Sequence, residues 1–213
     1  MNAIELRVKI CGLREEEHAA AALEAGADLL GFVFAPSRRQ VRPAFVKRLI
    51  QRLPRGQAQT VGVFVDSSPA EVNAIAQDCR LDWAQLSGRE SPAACQQVQV
   101  PAIKAFSATS DLTWKQIAAY RKAARLFLLD AFSPGAHGGT GRPCNWRVAA
   151  QLARRFPVLL AGGLTPQNVA AAISTVRPWG VDVSSGVETG GVKDAALIAA
   201  FVYQAKQAAA PGL

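Results

Sequence analysis

The feature that most constrains the fold of this chain is a regular alternation of short apolar, β-branched runs with Ala-, Leu-, Glu- and Arg-rich stretches. Such runs predict buried parallel strands, and the stretches between them predict the helices that cover the sheet. Strands are predicted at 6–10, 29–34, 60–65, 83–86, 101–105, 125–129, 157–161 and 180–184. Helices are predicted at 15–25, 43–52, 69–78, 90–98, 112–122, 145–154, 166–175 and 194–208. The pattern therefore predicts eight strand–helix units.

Eight such units in a chain of 213 residues fit a compact TIM barrel. With 50% hydrophobic residues the chain can build one large core but is short for two ordinary domains, so we expect one domain over 1–213. The alternative is a doubly wound open sheet, which usually carries a Gly-rich fingerprint after its first strand. Here the first strand leads into Cys11-Gly12-Leu13-Arg14 instead. The favoured fold is therefore an α/β, single-domain (β/α)8 TIM barrel.

Composition argues against several kinds of partner. No apolar run approaches the roughly 18 residues that cross a bilayer, and no basic leader precedes an apolar segment, so we expect a cytoplasmic protein without a membrane partner. The net charge is +8, but the basic residues are scattered and lack interleaved aromatics, which argues against nucleic acid. Part of this charge could steer a small anionic substrate. A monomer and a homodimer both stay open.

Four cysteines, Cys11, Cys79, Cys95 and Cys144, lie far apart and lack the paired spacing of a zinc site. In a cytosolic chain this predicts free thiols rather than disulfides or metal ligands. Cys11 differs from the others because it ends an apolar run and is followed at once by Gly12. Most cysteines act as small hydrophobes, but a thiol at a strand end can also take part in chemistry. The other strand ends decide between these interpretations.

Polar residues follow the predicted strands one after another. In a TIM barrel every strand ends at the same face, so residues far apart in sequence can share one site. The polar segments are Cys11, Pro36 to Arg39, Asp66, Gln85 to Gly88, Lys104 to Ser107, Asp130, Gly162-Gly163 and Asp182 to Gly186. We therefore expect one polar site at the carboxyl ends of the strands.

The segments after the seventh and eighth strands have the character of a phosphate site. Gly162-Gly163 and Ser184-Ser185-Gly186 let backbone N–H groups approach an anion, and these two loops hold phosphate in many barrels. Each segment alone would also fit an ordinary turn, whereas the two together favour phosphate. Gly138-Gly139-Thr140-Gly141 lacks the lysine and spacing of a nucleotide-binding loop and is interpreted as a flexible lid.

Nine short motifs follow one another in a fixed order along the chain. They are Lys9-Ile10-Cys11-Gly12-Leu13, Gly31-Phe32-Val33-Phe34, Ser37-Arg38-Arg39, Val61-Gly62-Val63-Phe64-Val65, Gln85-Leu86, Leu129-Asp130, Gly138-Gly139-Thr140-Gly141, Gly162-Gly163-Leu164 with Asn168-Val169, and Val181-Asp182-Val183-Ser184-Ser185-Gly186-Val187-Glu188. This ordered set resembles the phosphoribosylanthranilate isomerase family of tryptophan biosynthesis. Each motif has modest specificity, but the set covers nearly the whole chain.

The resemblance implies a cofactor-free Amadori rearrangement of N-(5-phosphoribosyl)anthranilate to 1-(2-carboxyphenylamino)-1-deoxyribulose 5-phosphate. By the matching motifs, Cys11 is the general base that removes the C2′ proton, and Asp130 is the general acid that protonates the ring oxygen. A free thiol is mostly protonated at neutral pH and a free aspartic acid is mostly ionised, so the site must move both pKa values. We expect burial near Leu128 and Leu129 to raise the pKa of Asp130, and the surroundings of bound substrate to favour the Cys11 thiolate.

The same resemblance implies the binding residues. Arg39 matches the arginine that the family uses toward the anthranilate carboxylate, for which a planar guanidinium is suited, whereas Arg38 is interpreted as surface charge. The remaining predicted substrate-binding residues are Gln85 and, at the phosphate, Gly162, Gly163, Ser185 and Gly186. No metal or cofactor is expected.

The chain departs from the family pattern at two positions, with Ser87 where histidine is frequent and Gln40 where an aromatic residue is frequent. Ser87 puts the hydrogen bonding at the floor of the site, and hence substrate preference, in question. His18 and His137 are interpreted as surface residues. One alternative is another phosphosugar isomerase on the same barrel, such as the histidine-pathway isomerase, which would be expected to use paired aspartates where Cys11 and Asp130 stand. The other is a non-catalytic barrel that binds a phosphometabolite.

Overall fold

The computed structural model describes residues 6–54, 56–130 and 145–209. Within them, eight parallel strands form a closed barrel in sequence order, with the last strand paired to the first. The strands are β1 (Arg7–Cys11), β2 (Leu29–Val33), β3 (Gln59–Phe64), β4 (Trp83–Leu86), β5 (Ala102–Ser107), β6 (Leu126–Asp130), β7 (Val158–Leu160) and β8 (Gly180–Val183). The predicted (β/α)8 TIM barrel is thereby confirmed.

The helices that cover the barrel alternate with these strands. They are α1 (Glu16–Glu24), α2 (Pro43–Arg52), α3 (Pro69–Cys79), α4 (Pro92–Gln96), α5 (Trp114–Ala118), α6 (Trp146–Ala153), α7 (Val169–Val176) and α8 (Ala195–Ala209). Each predicted strand and helix is present, with ends that differ by a few residues. Cys144, His137 and the predicted lid at 138–141 lie outside the described residues, and the extension of the domain over all of 1–213 stays a prediction.

The fourth and fifth helices are shorter than predicted, and local capping explains where they begin. The Ser91 side chain accepts a hydrogen bond from the backbone N–H of Ala94, and Pro92 occupies the first helical position, so α4 begins after Ser91. In α5, the Gln116 side chain accepts from the backbone N–H of Thr113, which fixes the start at Trp114, two residues later than predicted.

Two apolar layers make up the core. One lies between the barrel and its helices, and a smaller one lies inside the barrel and includes Leu29, Val61, Ile103, Leu128 and Leu159. Side chains alternate between the two faces along each strand.

On β1 this alternation separates apolar from polar side chains. Val8 and Ile10 belong to the layer beneath the helices, so Lys9 and Cys11 take the inner face of the barrel.

A small hairpin follows β8 at the same end of the barrel. After a 3₁₀ helix at Ser185–Val187, the two-residue strands β9 (Glu188–Thr189) and β10 (Val192–Lys193) pair antiparallel. The turn between them is Gly190-Gly191, both with positive φ (61° and 82°), a conformation that glycine adopts without strain. Among residues 6–54, 56–130 and 145–209, no helix is long and apolar enough to cross a bilayer.

Candidate active site

The carboxyl ends of the strands surround a cleft of about 920 Å³, counting the space open to solvent. Its lining includes four predicted site residues from different parts of the chain, namely Cys11, Arg39, Gln85 and Asp130. A smaller adjoining pocket of about 330 Å³ is lined by the other four, Gly162, Gly163, Ser185 and Gly186. Asp130, Asp182 and Ser184 line both spaces. Barrel closure thus brings all eight predicted residues to one place.

Cys11 lies at the end of β1, 7% exposed, and shares its surroundings with Lys9. Lys9 is fully buried, and its Nζ donates a hydrogen bond of 2.8 Å to Asp182 Oδ1 on β8. Across the β1–β2 pair, Gly31 stands opposite Cys11. A Cβ placed on Gly31 would lie 3.0 Å from the Cys11 Sγ and 3.1 Å from the Lys9 Nζ. The missing side chain of Gly31 therefore leaves the space that the thiol and the ammonium occupy.

The charges around Cys11 oppose one another. Burial raises the pKa of Cys11, Lys9 and Lys193 lower it, and Asp182 raises it, with a net pKa above the ordinary value. For Lys9, burial would lower the pKa, but Asp182 and the Cys11 thiolate outweigh burial and hold the pKa above its usual range. The expectation of a Cys11 thiolate therefore needs a further positive charge, because burial outweighs the two lysines.

Lys9 and Asp182 are functional candidates to which the sequence analysis gave no role. The available signal was a lysine two positions before Cys11 inside an apolar run, which places both side chains on one face of a strand. A buried lysine requires a partner, but its identity, Asp182, follows only from the pairing of β1 with β8.

Asp130 is the last residue of β6 and is partly buried at the border between the cleft and the small pocket. It pairs in register with Ser107 of β5, and its backbone carbonyl accepts a hydrogen bond of 2.8 Å from the N–H of Ala108. Pairing with β5 therefore fixes the backbone that carries this carboxyl group at the mouth of the barrel.

Arg39 follows β2 and is 8% exposed, with its guanidinium bound to Glu188. Its Nε donates to Oε1 at 2.7 Å and its Nη2 donates to Oε2 at 2.9 Å. The side chain of Arg38 also reaches Glu188, at 2.7 Å, but is 54% exposed and does not line the cleft. Of the two neighbours, Arg39 is the one placed at the site.

The loops after β7 and β8 meet at two points that need glycine. Gly162 and Gly163 have φ of 86° and 66°, and the Gly163 carbonyl accepts a hydrogen bond of 2.9 Å from the Asn168 side chain. A Cβ placed on Gly186 would collide with the carbonyl oxygen of Leu164. The close approach of these two loops forms the small pocket, whose exposed backbone suits an anion.

Gln85 and Ser87 form part of the cleft on the side of β4. Gln85 is 5% exposed, and its Nε2 donates to Ser87 Oγ at 3.1 Å. Its Oε1 is buried and has no hydrogen-bond partner within the described residues. A buried acceptor without a partner costs about 1–3 kcal/mol, so a donor on a ligand would be favoured here.

Beneath this side of the cleft, a buried ion pair joins strand β5 to the loops after β3 and β4. Lys104 Nζ donates to the carbonyls of Leu86 and Gly88, at 3.1 and 2.8 Å, and to Glu90 Oε2 at 2.9 Å. Glu90 in turn accepts from the backbone N–H groups of Gly88 and Asp66. The sequence places Lys104 among the polar residues near the strand ends, but it does not identify Glu90 as the partner.

The closed barrel, with a thiol, a carboxyl group and an arginine around one cleft beside a glycine-rich pocket, has the architecture of a barrel enzyme for a small phosphorylated substrate. The family model for N-(5′phosphoribosyl)anthranilate (PRA) isomerase matches residues 8–204. The chain therefore belongs to the phosphoribosylanthranilate isomerase family.

Individual relatives agree with this family. The N-(5′-phosphoribosyl)anthranilate isomerase of Desulforudis audaxviator (strain MP104C) is 49% identical over 201 residues, covering 94% of this chain and 98% of the relative. The crystal structure of phosphoribosyl anthranilate isomerase from Thermotoga maritima superposes with a TM-score of 0.86 at 37% identity, covering 95% of this chain and 99% of that one. A family structure in complex with reduced 1-(o-carboxyphenylamino)-1-deoxyribulose 5-phosphate gives a TM-score of 0.83 at 36% identity, with the same coverage.

Proposed function

We propose that this chain is an isomerase of tryptophan biosynthesis that converts N-(5-phosphoribosyl)anthranilate to 1-(2-carboxyphenylamino)-1-deoxyribulose 5-phosphate, with Cys11 and Asp130 as the catalytic pair. The observation that carries this assignment is that the two residues end different strands and line the same cleft, next to the glycine-rich pocket. General acid–base catalysis needs a donor and an acceptor within reach of one substrate but at different atoms.

The reaction proceeds in two proton-transfer stages that leave the atom count unchanged. Asp130 gives its proton to the furanose ring oxygen as the bond from C1′ to that oxygen breaks, which leaves a protonated Schiff base between C1′ and the anthranilate nitrogen. The Cys11 thiolate then removes the proton from C2′. The electron pair of the C2′–H bond forms a double bond between C1′ and C2′, and the electron pair of the C1′=N double bond moves to the nitrogen, which gives an enolamine. Tautomerisation of the enolamine gives the ketone.

The charge of the intermediate provides the additional positive charge that a Cys11 thiolate requires. Lys9 and Lys193 favour the thiolate, but burial outweighs them. The Schiff base places a positive charge on the nitrogen, two bonds from C2′, and a nearby cation lowers the pKa of a thiol. In the proposed sequence Cys11 therefore loses its proton, to water in the open cleft, after ring opening.

The binding residues orient the substrate between two anion sites. Gly162, Gly163, Ser185 and Gly186 hold the phosphate in the small pocket, and Arg39 holds the anthranilate carboxylate in the cleft. The unpartnered Gln85 Oε1 accepts a hydrogen bond from a substrate N–H or O–H group. The family complex with a reduced carboxyphenylamino-deoxyribulose phosphate supports a ligand that carries both anionic groups.

The proposed compartment is the cytoplasm. Cys11, Cys79 and Cys95 are free thiols in the structure, which fits a reducing environment.

The direct test of the function is the loss of anthranilate fluorescence when purified protein is added to N-(5-phosphoribosyl)anthranilate. The assay contains a chelator and no nucleotide. We expect a decay whose rate is proportional to protein concentration. Persistent fluorescence in the presence of folded protein, checked by circular dichroism, would reject the isomerase assignment.

A further inference from the structure

Glu188 is a nearly buried carboxylate that binds three cations. Its side chain is 5% exposed and contacts Arg39, Arg38 and Lys193 at 2.7 to 2.9 Å. Burial would raise the pKa of Glu188, but the hydrogen bonds from Arg39 and Lys193 outweigh it and lower the pKa to about 2. The group is therefore ionised at neutral pH.

The hairpin that carries Glu188 is fixed to the barrel by Lys193. Its Nζ donates to Glu188 Oε1 at 2.9 Å and to the carbonyl of Ser184 at 2.8 Å, and Ser184 Oγ donates to the carbonyl of Cys11 at 3.1 Å. These bonds join β9 and β10 to the ends of β8 and β1. Glu188 is consequently an anchored group rather than a mobile surface carboxylate.

The Arg39 guanidinium is held along one of its edges. Glu188 occupies the edge formed by Nε and Nη2. The arginine stem passes over Gly12, where an added Cβ would lie 2.5 Å from Cδ and 3.4 Å from Nε. Nη1 has no hydrogen-bond partner in the described part of the chain, and Arg39 lines the cleft. A planar guanidinium with one edge filled presents a second edge, Nη1 with the remaining Nη2 hydrogen, to another carboxylate.

We propose that Glu188 is a positioning residue that binds one edge of Arg39 so that the other edge receives the aromatic carboxylate of the substrate. The inference rests on the role proposed above for Arg39 and adds to it the group that orients the guanidinium. Because Lys193 and Arg38 also hold Glu188, an incoming carboxylate does not need to displace it. The two carboxylates share one guanidinium, and the neighbouring cations balance their charge.

The test compares two ligands that differ only in the carboxylate. One is reduced 1-(o-carboxyphenylamino)-1-deoxyribulose 5-phosphate, and the other is the same compound made from aniline. The variant is Glu188→Gln, which keeps the size of the side chain but loses its charge and one acceptor. We expect its Kd for the carboxylated ligand to rise about tenfold, since misplacing a binding group by an ångström costs up to about a hundredfold. Its Kd for the aniline compound should change less than twofold.

Kinetics give a second readout. A residue that orients a binding group should raise KM for the substrate in the Glu188→Gln protein, with little change in kcat. Glu188→Asp keeps the charge but has a shorter side chain, so it should give a smaller increase in Kd that is again confined to the carboxylated ligand. It replaces the glutamine variant if that variant does not fold.

Two further variants separate the premise from the inference. Lys47→Met removes a surface cation that pairs with Asp78 and does not line the cleft, so it should bind both ligands like the parent protein, whereas Arg39→Met should lose selectivity for the carboxylated ligand. If Glu188→Gln lost affinity equally for both ligands, or bound the carboxylated one more tightly, the positioning role of Glu188 would be overturned. The proposed role of Arg39 in binding the carboxylate would still stand. Unchanged binding of both ligands to Arg39→Met would instead overturn the role of Arg39.

Discussion

The chemistry of Cys11 depends on an ammonium group that has no access to solvent. Lys9 is fully buried and is held by Asp182, so its charge acts on Cys11 in a medium of low dielectric constant. A buried ion pair is not in itself stabilising, but removal of one partner leaves an uncompensated charge and costs about 3–5 kcal/mol. The pair therefore links the reactivity of the thiol to the stability of the barrel.

Opposite substitutions in this pair should move the reactivity of Cys11 in opposite directions. Lys9→Met removes the main charge that lowers the pKa of Cys11, and Asp182→Asn removes one that raises it. We expect the pH profile of iodoacetamide alkylation to shift to higher pH in Lys9→Met and to lower pH in Asp182→Asn. Alkylation of the Cys11→Ala protein gives the background from the other thiols. Shifts in the same direction would contradict the proposed electrostatics.

Cys11→Ala and Asp130→Asn should each lower kcat by at least about a hundredfold, because general acid–base catalysis contributes about 10² to 10⁴. Inorganic phosphate should still inhibit competitively, with a similar constant in Cys11→Ala and an equal or tighter one in Asp130→Asn, because Asp130 also lines the small pocket and its charge opposes an anion there. Cys79→Ala, which removes a buried thiol outside the cleft, is the matched control and should retain turnover. Near-parental kcat in either site variant would remove that residue from the mechanism.

Residues that end strands can be predicted from the sequence, whereas residues that are paired only by the tertiary structure cannot. Cys11 and Asp130 stand at strand ends, so their position at the cleft follows from the barrel. The partner of Lys9 lies 173 residues away and is selected by barrel closure. Likewise, Arg39 was assigned from its motif, but Glu188 reaches it only because a hairpin folds back over the strand ends.

At the scale of elements, the apolar pattern predicts all eight barrel strands, including β7 with three residues, but not the two-residue strands of the hairpin. The hairpin strands β9 and β10 have two residues each, too few to show alternation, and were not predicted. Short helices such as α4 begin where a serine and a proline provide the cap, which shifts their ends relative to the apolar pattern. The loops that carry the site are therefore the least predictable elements.

The contact between the loops after β7 and β8 gives a prediction at this scale. In Gly186→Ala the new Cβ collides with the backbone of Leu164, so the loops must separate and the phosphate pocket should lose its shape. We expect the inhibition constant of inorganic phosphate to rise about tenfold or more, by analogy with other small displacements of binding groups.

Gly26→Ala is the control for backbone strain. Gly26 has φ of 86°, and an added Cβ would meet no atom within 4 Å. Its substitution by alanine should lower the free energy of unfolding, measured in urea, by about 1–2 kcal/mol without changing the inhibition constant of phosphate. Weaker phosphate inhibition of similar size in both variants would indicate general destabilisation rather than a pocket effect.

For the whole molecule, the net charge of +8 and the anionic substrate should give salt-dependent association. The association rate constant of the carboxylated ligand should fall several-fold between about 20 and 200 mM sodium chloride, because salt screens long-range attraction. The dissociation rate constant should change less. Stopped-flow fluorescence measures both, and sulfate and phosphate are avoided because they would compete for the pocket. A salt-independent association rate would exclude electrostatic steering.

The pairing of Cys11 with Gly31 makes the chemistry sensitive to strand register. The neighbours of Gly31 on β2 are Leu30 and Phe32, both large and buried. A slip of one residue between β1 and β2 would bring one of these side chains against the thiol and fill the space shared with Lys9. Recovery of turnover during refolding therefore reports only the molecules in which β1 and β2 are correctly aligned. Circular dichroism and the hydrodynamic radius would also include barrels in which the two strands are misaligned.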